Sequence, residues 1–159
     1  MIPASIRAGG YTVFAVGLWA VGLPAILARQ PSGGFVVAWR GPVLVGFGVA
    51  LVVGGACVVN RAATQLASSG VGVFSVAPGP VLVTDRWYGR LRNPIDAGVV
   101  LLGLGAAVAL DLPRVWIIPV AAVVNGVVGA GFYEDRRLLE AFGDDFREYR
   151  DRVGKWIPR

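Results

Sequence analysis

Histidine is absent from the 159-residue chain. Its absence excludes histidine-ligated haem, histidine-containing zinc sites, a Ser-His-Asp triad and any imidazole acid/base chemistry. Cysteine occurs once, as Cys57 within an apolar run, so no intrachain disulfide can form. Cys57 reads as a small buried hydrophobe rather than a reactive thiol. Charge is scarce as well. Charged residues make up 16% of the chain, against about 25% in an average soluble domain, and 55% of residues are hydrophobic. With a mean hydropathy of +0.65, the composition is that of an integral membrane protein, read as a single domain over 1–159. The net charge of +5 would suggest a nucleic-acid partner in a soluble protein. In so apolar a chain it reads as positive-inside topology instead, with the lipid bilayer as partner and neither nucleic acid nor metal expected.

Four stretches approach the roughly 20 apolar residues that a spanning helix needs. They are 11–28, with Pro24 as a kink, 41–59, opened by Pro42, a short 97–112, and 115–133. The first is read as a retained anchor rather than a cleaved signal, because its apolar core is long for a signal peptide. Only 111–114 separates the last two, which predicts a tight antiparallel hairpin. Four spans put the N-terminus, the 60–96 loop and the C-terminal tail on one side. Of the 15 Lys and Arg residues, Arg29, Arg40 and Arg114 fall on the opposite side and the other twelve on this one. Both termini are therefore assigned to the cytoplasm. The loop carries turn signals, "SSGVG" and "APGP", and a β-like "VLVT" at 81–84. In the tail, Gly143 is expected to break a helix leaving the fourth span. Beyond it, Phe146, Tyr149, Val153 and Trp156 fall at helical spacing, predicting an amphipathic helix over about 144–156. That helix either lies at the headgroup boundary or packs on the protein's own core. The fold expected is thus all-α, with about four transmembrane helices, a cytoplasmic loop and a C-terminal amphipathic helix. Heavy use of Gly, Ala, Val and Arg suggests a prokaryotic cytoplasmic membrane.

Charge gathers where the third span begins, in "GRLRNPIDAGVVLLGLG" at 89–105. The hairpin would bring Tyr88, Arg90, Arg92, Asn93 and Asp96 beside Tyr133, Glu134 and Asp135. Cations, carboxylates and aromatics at one membrane face suit a zwitterionic ligand; equally, the arginines could be topological anchors neutralised by nearby acids. Gly98, Gly103 and Gly105 serve either close helix packing or clearance for a ligand. The spans hold almost no ionisable residue at mid-depth, which argues against a channel or transporter.

The ordered pieces "PVLVTDRWYGRLRNPIDAG", an apolar hairpin, "YEDRRLLEAFGDDFREY" and "VGKWIPR" resemble the isoprenylcysteine carboxyl methyltransferase family and its phospholipid methyltransferase relatives. The resemblance covers about residues 70–159. It implies a membrane-embedded enzyme that moves a methyl group from S-adenosylmethionine to a lipophilic acceptor, either an isoprenylcysteine-like carboxylate or a phospholipid amine. By position, Arg92, Asn93 and Pro94 match the Arg-His/Asn-Pro motif, and Gly98 the glycine after it. Gly103 and Gly105 match the glycines beside the cofactor, Glu134 and Asp135 the acidic pair, and Tyr88 the aromatic ahead of the motif. Arg92 and Asp96 are the expected catalytic residues. Tyr88, Asn93, Pro94, Gly98, Gly103, Gly105, Glu134 and Asp135 are the expected cofactor-binding set. The sequence departs from the family's pattern at Asn93, where histidine is common, at Asp96, where tyrosine is usual, and at Asp135, shorter than glutamate. Asp96 could pair with Arg92 or with the cofactor's ammonium. The alternative reading is a non-catalytic scaffold or lipid-binding relative with a degraded cofactor site.

Overall fold

The computed structural model describes residues 6, 10, 13–28, 41–71, 79–110, 113–127 and 134–158 of the chain. The described residues are all-helical, without a strand. A π-helical segment, Val16–Gly22, leads into α1, Leu23–Ala28. Pro24 has no N–H to give and its ring crowds the carbonyl one turn back, and the widened turn ahead of it absorbs both effects. Then follow α2, Pro42–Ser68, and α3, Pro94–Leu110. A 3-10 turn, Pro113–Trp116, precedes α4, Ile117–Asn125, and α5 spans Asp135–Arg152.

Helix α2 outruns the predicted span of 41–59 by more than two turns. Polar residues enter its last turns without breaking it, and Thr64 Oγ1 donates back to the Asn60 carbonyl at 2.7 Å. It ends in a Schellman motif: Gly70, at φ +79°, donates to Ala67 O at 3.3 Å, and Val71 donates to Leu66 O at 3.2 Å. Residues 60–68, expected in the loop, are therefore helical.

Helix α3 is the centre of the structure. Its Val99 and Leu102 join Ala15, Val59 and Ala122 in one buried cluster. Ala107 joins Val115 and Ile118 in a second, against which Trp19, Leu23 and Leu27 pack. The α2–α3 contact is set by glycines. A Cβ on Gly48 would lie 2.7 Å from Gly105 O, and one on Gly55 would lie 2.7 Å from Gly98 O. Each pair recurs seven residues along both chains, running in opposite directions, so two antiparallel helices touch backbone to backbone at two levels.

One described helix, α2, is long and apolar enough to cross a membrane. Its 27 residues would cover about 40 Å at 1.5 Å per residue. Only 17% of its apolar window is buried inside the protein, unlike the core helix of a soluble domain. The stretches expected as first and third spans form shorter apolar helices, Val13–Leu27 and Pro94–Leu110. The fourth is described only as far as 127, and residues 128–133 lie outside the described residues.

Three expectations are corrected. The segment 81–84 is irregular rather than β-like: no described strand is there to pair with it, and Leu82 packs instead against the tail. Cys57 is exposed, on the side of α2 turned away from α3. The tail helix runs from Asp135 to Arg152, with Gly143 (φ 54°, ψ −121°) as a non-helical break inside it, so Trp156 lies beyond its end. The break falls at the predicted residue, since that conformation is open to glycine and strained for other residues. The structure also decides where the tail's apolar face goes. Phe146, Tyr149 and Val153 are buried against Leu82, Leu138, Leu139 and Phe142, on the protein itself.

Candidate functional site

The N-terminus of α3, the start of α5 and the chain's last described residues converge at one end of the bundle. Asn93 precedes α3, and its carbonyl accepts from Ala97 N–H at 3.1 Å. Pro94 follows at the first helical position, where a missing N–H costs nothing. Asn93 is almost fully buried. Its Nδ2 donates to Asp96 Oδ2 at 3.2 Å and, more weakly, to Glu134 Oε2 at 3.5 Å. One amide therefore holds two carboxylates that are 38 residues apart in sequence.

Both carboxylates sit ahead of or beyond the apolar spans, and both titrate high. Burial raises Asp96, against the lowering influence of the Asn93 hydrogen bond and the Lys155 charge. Burial also raises Glu134, helped by the charges of Asp96 and Asp135 and opposed by Lys155 and Asn93. Glu134 nevertheless keeps a solvent-exposed flank.

Arg92 faces the other way. Its Nη1 donates to both oxygens of Asp135 at 3.2 Å, and its Nε donates to Val153 O at 3.1 Å. Its backbone N–H donates to Gly154 O at 3.0 Å, and its guanidinium lies 6.0 Å from the Phe146 ring centroid. Lys155 Nζ stands 3.2 Å from Asp135 Oδ1. The pairing of Asp96 with Arg92 expected as one alternative is thus not made: Asp96 bonds Asn93, while Arg92 takes Asp135. With its guanidinium on one carboxylate and one carbonyl and its backbone N–H on a second carbonyl, Arg92 ties the start of α3 to both ends of α5.

Tyr88 belongs to a turn over 85–90, and its carbonyl accepts from Tyr149 Oη at 2.7 Å. Burial pushes the Tyr149 phenol well above its ordinary range, keeping it a donor. The turn is pinned by Gln65, a residue that sequence reading passed over. Its Nε2 donates to Asp85 O at 2.9 Å and to Asp85 Oδ1 at 2.8 Å, while Trp87 N–H donates to its Oε1 at 3.2 Å. A glutamine surrounded by alanines near the end of an apolar helix was the available signal. Arg90, 5.9 Å from the Trp87 ring centroid, lies outside this network.

The three glycines expected beside a cofactor each face a neighbouring helix. Gly98 and Gly105 lie against α2. A Cβ on Gly103 would meet Ile118 Cγ2 at 3.0 Å and Pro119 N at 3.2 Å. In each case a neighbouring helix fills the space the glycine frees, which is the packing alternative. Tyr133 lies outside the described residues. The structure therefore brings together Arg92, Asn93, Pro94, Asp96, Glu134 and Asp135, with Tyr88 at the edge.

A scan against protein-family models finds no match for the chain, and a search of curated proteins finds none either.

Proposed function

We propose that the protein is a membrane-embedded methyltransferase that uses S-adenosylmethionine and a lipophilic acceptor. The observation that carries this reading is the convergence of Asn93, Asp96 and Glu134 at the end of an apolar bundle, in the order of the motifs that resemble the isoprenylcysteine carboxyl methyltransferase family. Four spans, at 11–28, 41–59, 97–112 and 115–133, carry it. Exposed Val13, Phe14, Phe47, Val53, Ile117 and Val120 support lipid around the first, second and fourth. Both termini face the cytoplasm of a prokaryotic cell, by the charge asymmetry of the loops.

The donor set fits such a cofactor. Two carboxylates with raised pKa values gain from an arriving cation, and an ammonium or sulfonium supplies one. When bound, S-adenosylmethionine provides an electrophilic methyl group, so much of the catalysis is positioning. Glu134 takes the cofactor's polar groups. Asn93 fixes the spacing of the two carboxylates. Asp96, a stronger base than free aspartate, accepts the proton of an amine acceptor at its carboxylate. Arg92 is engaged within the chain and positions α5 rather than touching substrate. Calorimetry on the detergent-purified protein tests the reading. Binding of S-adenosylmethionine that is lost in Glu134→Ala supports it, and binding unchanged in that variant removes the assignment.

A second reading, a non-catalytic scaffold, draws on the Arg92–Asp135–Lys155 network. Every buried side-chain N or O atom among the described residues has a partner inside the chain. It predicts no cofactor binding and an intact fold in Glu134→Ala.

A further inference from the structure

Beyond α5 the chain turns extended at Val153 (φ −112°, ψ 124°) and crosses the end of the bundle. Two bonds from Arg92 hold the carbonyls of Val153 and Gly154, and Asp135 holds Lys155, whose side chain is only 16% exposed. Trp156 then lies against α4 at Gly126. Any Cβ there would overlap Cη2 of the indole and lie 2.7 Å from its Cζ2. The same Cβ position is 3.4 Å from Asp96 Oδ2. The indole and the Asp96 carboxylate thus converge on one spot, and it is the missing side chain of residue 126 that lets the ring sit there. Past Trp156 the anchoring stops: Ile157 is 77% exposed.

We propose that residues 155–157, hinged at Val153 and Gly154, are an autoinhibitory strap that shuts the Asp96 side of the site. Trp156 is its plug, Gly126 is its seat, and the Lys155 ammonium stands in for the cationic group of a ligand until the strap swings out. The methyltransferase reading enters only in naming that ligand.

The chemistry supports a latch that opens. Lys155, paired with Asp135 at 3.2 Å, also favours the charged forms of Asp96 and Glu134, as a ligand's ammonium or sulfonium would. Val153 is anchored in the α5 cluster, and Arg92 bonds the carbonyls of Val153 and Gly154; beyond that hinge the strap rests on the Lys155–Asp135 ion pair and the half-buried Trp156 ring. Segments with few buried contacts open at low free energy, while α5, anchored through Phe146 and Tyr149, stays in place. A ligand cation that pairs with Asp96 and Glu134 takes over the charge compensation Lys155 gives them and shifts the strap toward its open position.

Carboxyl labelling of the full-length protein in detergent tests the strap. The reagents are a water-soluble carbodiimide and glycine ethyl ester, with the modified residues mapped by mass spectrometry. Glu134, with its exposed flank, is the internal reference. The wild type should label Glu134 and spare Asp96. Trp156→Ala, which removes the plug, and Gly126→Ala, which unseats it, should each raise Asp96 labelling about tenfold relative to Glu134. Circular dichroism checks that both variants are folded. Equal Asp96 labelling in all three proteins overturns the strap. S-adenosylmethionine titrated into the same proteins separates the two proposals. Tighter binding in the variants confirms a gate over a methyltransferase site. No binding in any of them, with the labelling difference present, removes the methyltransferase reading and leaves the strap standing. Equal binding with equal labelling removes the strap alone.

Discussion

Burial raises the pKa of Asp96 although an amide donor and an ammonium both favour its charge. Desolvation therefore outweighs two specific contacts at this residue. A carboxyl whose pKa is higher folded than unfolded stabilises the fold in its protonated form. That contribution is fully present below the unfolded value of 3.8 and is lost as pH rises through the folded value. Asp96→Asn, which keeps the size and stays neutral, should raise the melting temperature at pH 7 and leave it nearly unchanged at pH 3, as thermal unfolding in detergent would show. Neighbouring positions show how far single residues could be read. Asn93 and Glu134 were identified from motif order, and they do meet. The role of Arg92 was not legible, because which of three acids an arginine takes depends on where the chain returns 43 residues later.

Among the elements, the α2–α3 pair carries the packing. Gly98 and Gly105 let α3 touch α2, where a Cβ at Gly105 would meet Gly48 O at 2.6 Å and Val52 N at 2.8 Å. Backbone atoms cannot step aside as a side chain can. Gly105→Val should cost about 3 kcal/mol, at the upper end for overpacked cores, measured by unfolding in mixed micelles. The same change at Gly54, whose Cβ would meet nothing within 4 Å, should cost far less. The repeat of small residues every seven positions on both segments was visible in the sequence. Its partner was not, since a glycine stripe fits a neighbouring helix and a ligand alike. Helix boundaries were legible where a residue has one clear conformational use, as at the Pro42 start and the Gly143 break, whereas the third apolar stretch, read from 97, begins as a helix at Pro94. They were missed where polar residues continue a helix, as from Asn60 to Ser68.

At the scale of the whole molecule, the apolar surface is the dominant feature. Val43, Phe47 and Val53 on α2 and Val120 and Val124 on α4 are exposed, whereas Val59 and Leu102 are fully enclosed. In a bilayer the first group should meet lipid. A photoactivated carbene reagent dissolved in the membrane should label Phe47 and Val53 heavily and spare Val59, with peptide mapping as the readout. Uniform labelling along α2 would mean that the α2–α3 contact does not persist in the membrane. Protection of Phe47 and Val53 would mean that protein, not lipid, covers that face.

The long apolar runs pointed to helices, and the described residues form helices without a strand, one of them long and apolar enough to cross a membrane. A helix satisfies the backbone polar groups of such a run within the run itself. The order of polar residues around the third and fourth apolar stretches also determined that Asn93, Asp96 and Glu134 could meet, because a hairpin returns its two ends to the same place. The tertiary structure decided what sequence order leaves open. It placed the tail on the protein, set Trp156 against Gly126, and assigned Arg92 to Asp135. Those outcomes depend on contacts between segments 30 to 61 residues apart, where the choice follows from which shapes and charges fit together once the helices have packed.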